Sequence, residues 1–143
     1  MSIGFLRLHH VGFIVPSIDS ALPGFLNSLD AVATTGKIHD PLQKVNVLFL
    51  RTVAGEYNQI ELVEPASEDS PVKRFLAQGG GMNHLCYEVR DIEASLQAMK
   101  DRKCIVVSKP KPAVAFQGRR VAWAVTRERL LVELLEAEVA TTC

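Results

Sequence analysis

The chain has 143 residues, enough for one domain or for two small modules sharing a core. Sixteen Lys+Arg balance sixteen Asp+Glu, so a basic footprint for nucleic acid is excluded. With 48% apolar residues and no long apolar run, a membrane span is excluded as well. Cys86, Cys104 and Cys143 are scattered without CxxC spacing, and the opening "MSIGFLRLHH" has no signal-peptide pattern; a soluble protein of the cytoplasm is expected.

In chain order, an alternating run predicts a strand over 6–15, and an amphipathic stretch predicts a helix over 18–29. Pro23 lies beyond the opening turn of that helix, which should be short or kinked. Strands follow near 32–38, 44–51 and 58–64. The stretch "PASEDSPVKRFLAQGGG" reads as a helical linker over 66–81, with Ser70 as N-cap, Pro71 at the first helical position, and Gly79 to Gly81 as the stop. Beyond it come a strand over 82–89, a helix over 91–102 capped by Asp91, and strands near 104–108, 119–125 and 129–136. Ile92, Leu96 and Met99 share the apolar face of that second long helix.

The elements repeat. At an offset of 74 residues His10 falls on His84, Phe13 on Tyr87, Val15 on Val89, Ile18 on Ile92 and Leu22 on Leu96. At an offset of 72, "NQIELVEP" falls on "LLVELLEA", which puts Glu61 on Glu133. The expectation is therefore an α+β fold: two repeated βαβββ modules, about 6–65 and 82–137, forming a curled mixed sheet around a central cavity within a single domain, residues 1–143.

Strand alternation sorts the side chains. His9, Val11, Phe13 and Val15 share the helix-facing side, leaving His10, Gly12 and Ile14 inward. In the second module His84, Cys86 and Glu88 point inward, and by the same parity so do Glu61 and Glu133. One imidazole and one carboxylate from each half thus converge. Such a set suits a divalent ion (Co, Zn, Mn, Ni or Fe), which would also neutralise two buried carboxylates. His9 and Cys86 read as structural, and His39 as a solvated loop residue.

The stretches "HHVGFIVPSIDSAL", "PLQKVNVLFL", "IELVEPASEDSPVKRFL", "GGGMNHLCYEVRDIEASL" and "LLVELLEA" resemble the vicinal-oxygen-chelate superfamily, whose members include glyoxalase I, extradiol dioxygenases and drug-resistance proteins. Within it, "IELVEPASEDSPV" followed by "HLCYEV" is most similar to the methylmalonyl-CoA epimerase branch. The resemblance implies that His10, Glu61, His84 and Glu133 bind one divalent metal ion in a homodimeric enzyme acting on an acyl-CoA or other thioester. It implies an isomerase that removes and returns the proton alpha to the thioester, with Glu133 and Glu61 as the catalytic carboxylates and Glu133 as the favoured base. Some relatives carry an extra glutamate where this chain has Val47, so no base is expected from that strand. Lys109, Lys111, Arg119 and Arg120 are candidate phosphate donors or simply a solvated basic loop. A glyoxalase I-type lyase, a dioxygenase and a drug-binding resistance protein remain as alternatives.

Overall fold

The computed structural model describes residues 2–54 and 59–138, a mixed α+β fold. The chain resolves into two compact units. One is His9–His84; the other joins the residues up to Leu8 to those from Leu85 onward. The first strand, β1 (Phe5–Ile14), therefore contributes to both.

In the His9–His84 unit β1 is followed by α1 (Ile18–Ser28), β2 (Ala31–Ala33), β3 (Ile38–Asp40), β4 (Val45–Thr52), β5 (Gln59–Pro65) and α2 (Lys73–Ala77). Strand β5 runs parallel to β1, with Gly12 opposite Glu61 and His10 opposite Gln59. Strand β4 runs antiparallel to β5, placing Phe49 opposite Glu61, and both β2 and β3 pair with β4. The strand expected over 32–38 is thus two short strands. Between them Thr35 turns its hydroxyl oxygen to the Phe49 N–H at 3.0 Å, so a side chain takes the place of a backbone ladder partner. The strand expected from residue 58 begins outside the described residues; β5 is seen from Gln59.

Helix α1 runs unbroken for 11 residues through Pro23. Pro23 costs the hydrogen bond its ring nitrogen would donate to the Asp19 carbonyl, yet both residues are exposed, so water can take that role. Its N-terminus is well satisfied: Ser17 Oγ accepts from Ser20 N–H, and Glu64 Oε2 accepts from Ile18 N–H at 2.7 Å. The opposite face buries Ile18 among Val15, Leu48, Leu50 and Leu62, each such side chain contributing about 1.5–3 kcal/mol.

The expected linker cap is not used. Val72, not Ser70, precedes α2, and no side chain caps that helix. Ser70 closes a turn through its backbone, its N–H donating to Ser67 and its carbonyl accepting from Lys73, while the side chain is buried. The helix ends where expected: Gly79, Gly80 and Gly81 all have positive φ, and Gly80 N–H returns to the Phe75 carbonyl.

The second unit contains most of β6 (Gly81–Val89), then α3 (Ile92–Asp101), β7 (Ile105–Pro112), a 3-10 turn at Val114–Phe116, β8 (Arg120–Val125) and β9 (Leu131–Glu136). Its plan matches the first: β9 lies parallel to β6 and antiparallel to β8, which pairs with β7. Asp91 caps α3 as expected, accepting from Ala94 N–H at 3.0 Å, and Ile92, Leu96 and Met99 pack on Ala122, Ala124 and Leu134. Strand β7 runs past its expected end through Pro110 and Pro112, because it lies last in the order β6-β9-β8-β7 and its register with β8 shifts. The first residues of the chain belong here: Phe5 stacks on Tyr87 with ring centroids 4.4 Å apart, and Arg7 pairs with Glu88. Among the described residues no helix is long and apolar enough to cross a membrane.

Candidate metal centre

His10, Glu61 and His84 meet within the His9–His84 unit. The parallel pairing of β1 with β5 places Glu61 beside Gly12, and two residues back along β1 His10 presents its ring on the same face. His84 reaches them from the start of β6. His10 Nε2 stands 3.3 Å from His84 Nε2 and 3.5 Å from Glu61 Oε1, and His84 Nε2 lies 3.4 Å from that oxygen. All three side chains are buried. The Phe49 ring meets the His10 ring edge-on, with centroids 5.3 Å apart.

The space for this meeting comes from Gly12. A β-carbon there would stand 1.9 Å from His84 Cε1 and 2.3 Å from its Nδ1, so the imidazole lies where a side chain would be. Strand patterning places Gly12 on the inner face but does not show that its emptiness is used.

Each imidazole is also held from behind. His10 Nδ1 is 2.8 Å from His9 Nδ1, and His84 Nδ1 is 2.7 Å from Asn83 Oδ1. An amide oxygen only accepts, so His84 carries a proton on Nδ1. Burial pushes the Glu61 carboxyl upward, but the facing His10 and His84 imidazoles outweigh it and hold the group well below its usual range. His9, expected to be structural, is thus in direct contact with a site residue; the clue was its place one residue ahead of His10, as Asn83 stands ahead of His84.

Three donor atoms of imidazole and carboxylate type within 4.8 Å of one another fit a divalent cation. Donors about 2.1 Å from a shared ion stand about 3.0 Å apart at right angles and about 3.4 Å apart at the tetrahedral angle. The observed separations of 3.3 to 3.5 Å fall at the tetrahedral end of that range, with no rearrangement needed.

Glu133 belongs to the other unit. It is buried on β9, opposite Cys86 of β6 and Trp123 of β8, the register that Glu61 has with Gly12 and Phe49. Val47 is buried on β4 opposite Val63 and Ile38, so that position supplies no carboxylate. His39 is exposed and hydrogen-bonded to Asn46.

Two of the candidate phosphate donors are committed elsewhere. Arg119 donates to Glu88 Oε1 at 3.2 Å and to the Glu136 carbonyl, and Arg120 bridges Glu93 and Glu136. Lys109 and Lys111 remain exposed on β7.

The family described as Glyoxalase/Bleomycin resistance protein/Dioxygenase superfamily matches residues 9–123. An ethylmalonyl-CoA/methylmalonyl-CoA epimerase of Cereibacter sphaeroides is 32% identical over 117 residues, which is 80% of this chain and 84% of that protein. The mitochondrial methylmalonyl-CoA epimerase of Homo sapiens is 30% identical over 135 residues, 92% of this chain and 74% of that one. Among solved structures, a hypothetical protein from Bacillus halodurans superposes with a TM-score of 0.82 at 30% identity, covering 96% and 98% of the two chains. The methylmalonyl-CoA epimerase of Mycobacterium tuberculosis has the same fold, with a TM-score of 0.82 at 24% identity over 95% of this chain and 91% of that one.

Proposed function

The chain belongs to the glyoxalase/bleomycin resistance protein/dioxygenase superfamily, and from that premise we propose that it is a metal-dependent epimerase acting on the carbon alpha to a CoA thioester, with methylmalonyl-CoA or a near homologue as substrate. The observation that carries this reading is the buried convergence of His10, Glu61 and His84. The epimerase relatives supply the substrate class.

On this reading His10, Glu61, His84 and Glu133 are the ligands of one divalent ion. The equal register of Glu61 and Glu133 on β5 and β9 supports the fourth assignment. A divalent ion held there supplies Lewis-acid stabilisation of the negative charge that develops on the thioester oxygen. The protein's own part is proton transfer. Glu133 takes the proton from the carbon between the two carbonyls and the C–H electron pair passes into the enolate; Glu61, ionised at rest, takes a proton from water and delivers it to that carbon, while Glu133 gives its own to water, which restores both carboxylates. Return on the opposite face inverts the centre, and return on the first face leaves it unchanged. The same reading carries a cytoplasmic location and a homodimer, and light scattering of the purified protein tests the homodimer.

The decisive experiment follows methylmalonyl-CoA by NMR in heavy water with protein loaded in turn with Co, Zn, Mn, Ni or Fe. Metal-dependent deuterium uptake at C2 is expected. No uptake with any of these ions, together with turnover of methylglyoxal plus glutathione, would transfer the chain to the lyases.

A further inference from the structure

His9 and Asn83 occupy repeat-equivalent positions and differ in chemistry, yet each places one atom against the Nδ1 of the histidine that follows it. The separations are 2.8 Å for His9 Nδ1 to His10 Nδ1 and 2.7 Å for Asn83 Oδ1 to His84 Nδ1. Neighbouring residues of a strand ordinarily turn their side chains to opposite faces, so a side-chain contact between successive residues is unusual. Here it occurs twice, once in front of each buried imidazole.

We propose that His9 and Asn83 are a matched pair of positioning residues, each accepting the Nδ1–H of its neighbour and so fixing both imidazoles with Nε2 turned toward a shared cation. This deepens the metal-centre reading and rests on it. The proton bookkeeping is consistent. A neutral imidazole has one N–H, and a ring that gives its Nε2 lone pair to a cation keeps the proton on Nδ1. Asn83 Oδ1 accepts that proton from His84. His9 accepts from His10 through Nδ1 and keeps its own proton on Nε2. Without such partners each ring could flip or change tautomer, and the cation would have to select one of several arrangements.

Substitution separates the accepting atom from the bulk of the side chain. His9→Asn retains an acceptor of Asn83's kind but discards the ring that lies edge-on to Phe49 at 6.2 Å; His9→Phe retains an aromatic ring and discards the acceptor. Asn83→Asp retains the accepting oxygen, and Asn83→Leu keeps only the shape. Zinc and cobalt affinities of the full chain are measured by calorimetry, and the Nδ1–H protons of His10 and His84 are observed by NMR in the zinc-loaded protein. His9→Phe and Asn83→Leu are expected to weaken metal binding about 10–100-fold and to speed exchange of the neighbouring Nδ1–H with water. His9→Asn and Asn83→Asp are expected to bind nearly as the parent does. Wild-type affinity in His9→Phe and Asn83→Leu, or a loss in His9→Asn that His9→Phe does not share, would overturn the pairing while leaving the metal centre standing. A parent protein that binds neither ion would remove the centre itself.

Discussion

The His84 ring lies over Gly12 so closely that the missing β-carbon of one residue is the seat of the other. Space, not attraction, is what Gly12 contributes. Its neighbours His10 and Ile14 are buried, and its strand partner Glu61 is a site residue, so the backbone there has little freedom to retreat. Gly12→Ala should therefore swing His84 out of the cluster. Forcing a methyl into a packed interior costs about 1–3 kcal/mol, and zinc or cobalt affinity should fall well beyond what that stability loss explains. Calorimetric titration beside a urea melt measures both. Parent-like metal affinity would show that His84 has another place to sit.

Metal addition should stabilise the fold. Lone pairs gathered from His10, His84 and Glu61 into one buried space repel one another unless a proton or a cation lies between them. A ligand at a hundred times its dissociation constant adds about 2.7 kcal/mol, which raises the melting temperature of a chain this size by several degrees. A chelator should reverse the gain, and His84→Ala should abolish it. An unchanged melting temperature across metal concentrations would contradict the three-residue centre.

His10, Glu61 and His84 were legible because two independent regularities agree on them: the strand parity that turns a side chain inward, and the offset that repeats it. The parts that were missed depend on distances no periodicity encodes. Side-chain alternation assigns His9 and Asn83 to the faces opposite their neighbours, so their contacts with His10 and His84 are invisible to it. The division of β1 was equally hidden. Arg7 looks like the start of the first module and Phe5 lies just ahead of it, but they pack on Glu88 and Tyr87, which offer a carboxylate and a ring to match. Pro23 does not interrupt α1, since a missing N–H matters less where Asp19 and Pro23 are both exposed. Arg119 and Arg120 were open to ligands on sequence grounds only because their carboxylate partners Glu88, Glu93 and Glu136 come from distant stretches.

Those partners give a pH signature. The Arg120 guanidinium beside Glu136 holds its carboxyl below the ordinary value of 4.5. A group lowered on folding contributes stability that is present above its unfolded pKa and lost as pH falls through the folded one. Arg120→Gln should thus destabilise the protein modestly at pH 7, and the gap from the parent should close on acidification below about pH 4. Paired urea melts at the two pH values check this. A gap that is constant with pH would mean that Arg120 acts through packing of its stem. Substrate KM should be unaffected, since Arg120 is committed to Glu93 and Glu136.

The choice of base can be separated from the choice of ligand. Glu61 Oε1 is already shared between two imidazoles at 3.5 and 3.4 Å, which restrains the swing a proton carrier needs. Glu133 on β9 is therefore the better candidate for abstraction. Glutamine keeps an oxygen donor of nearly the same shape but cannot accept a proton to become an acid. Glu133→Gln should slow deuterium uptake at C2 of methylmalonyl-CoA about 10²–10⁴-fold, the range that a positioned general base supplies, while zinc remains measurably bound. Glu61→Gln should do the reverse, weakening the metal more than it slows exchange per bound ion. If Glu61→Gln with full metal occupancy lost exchange while Glu133→Gln kept it, the two carboxylates would trade roles: Glu61 would be the base, and Glu133 would return the proton.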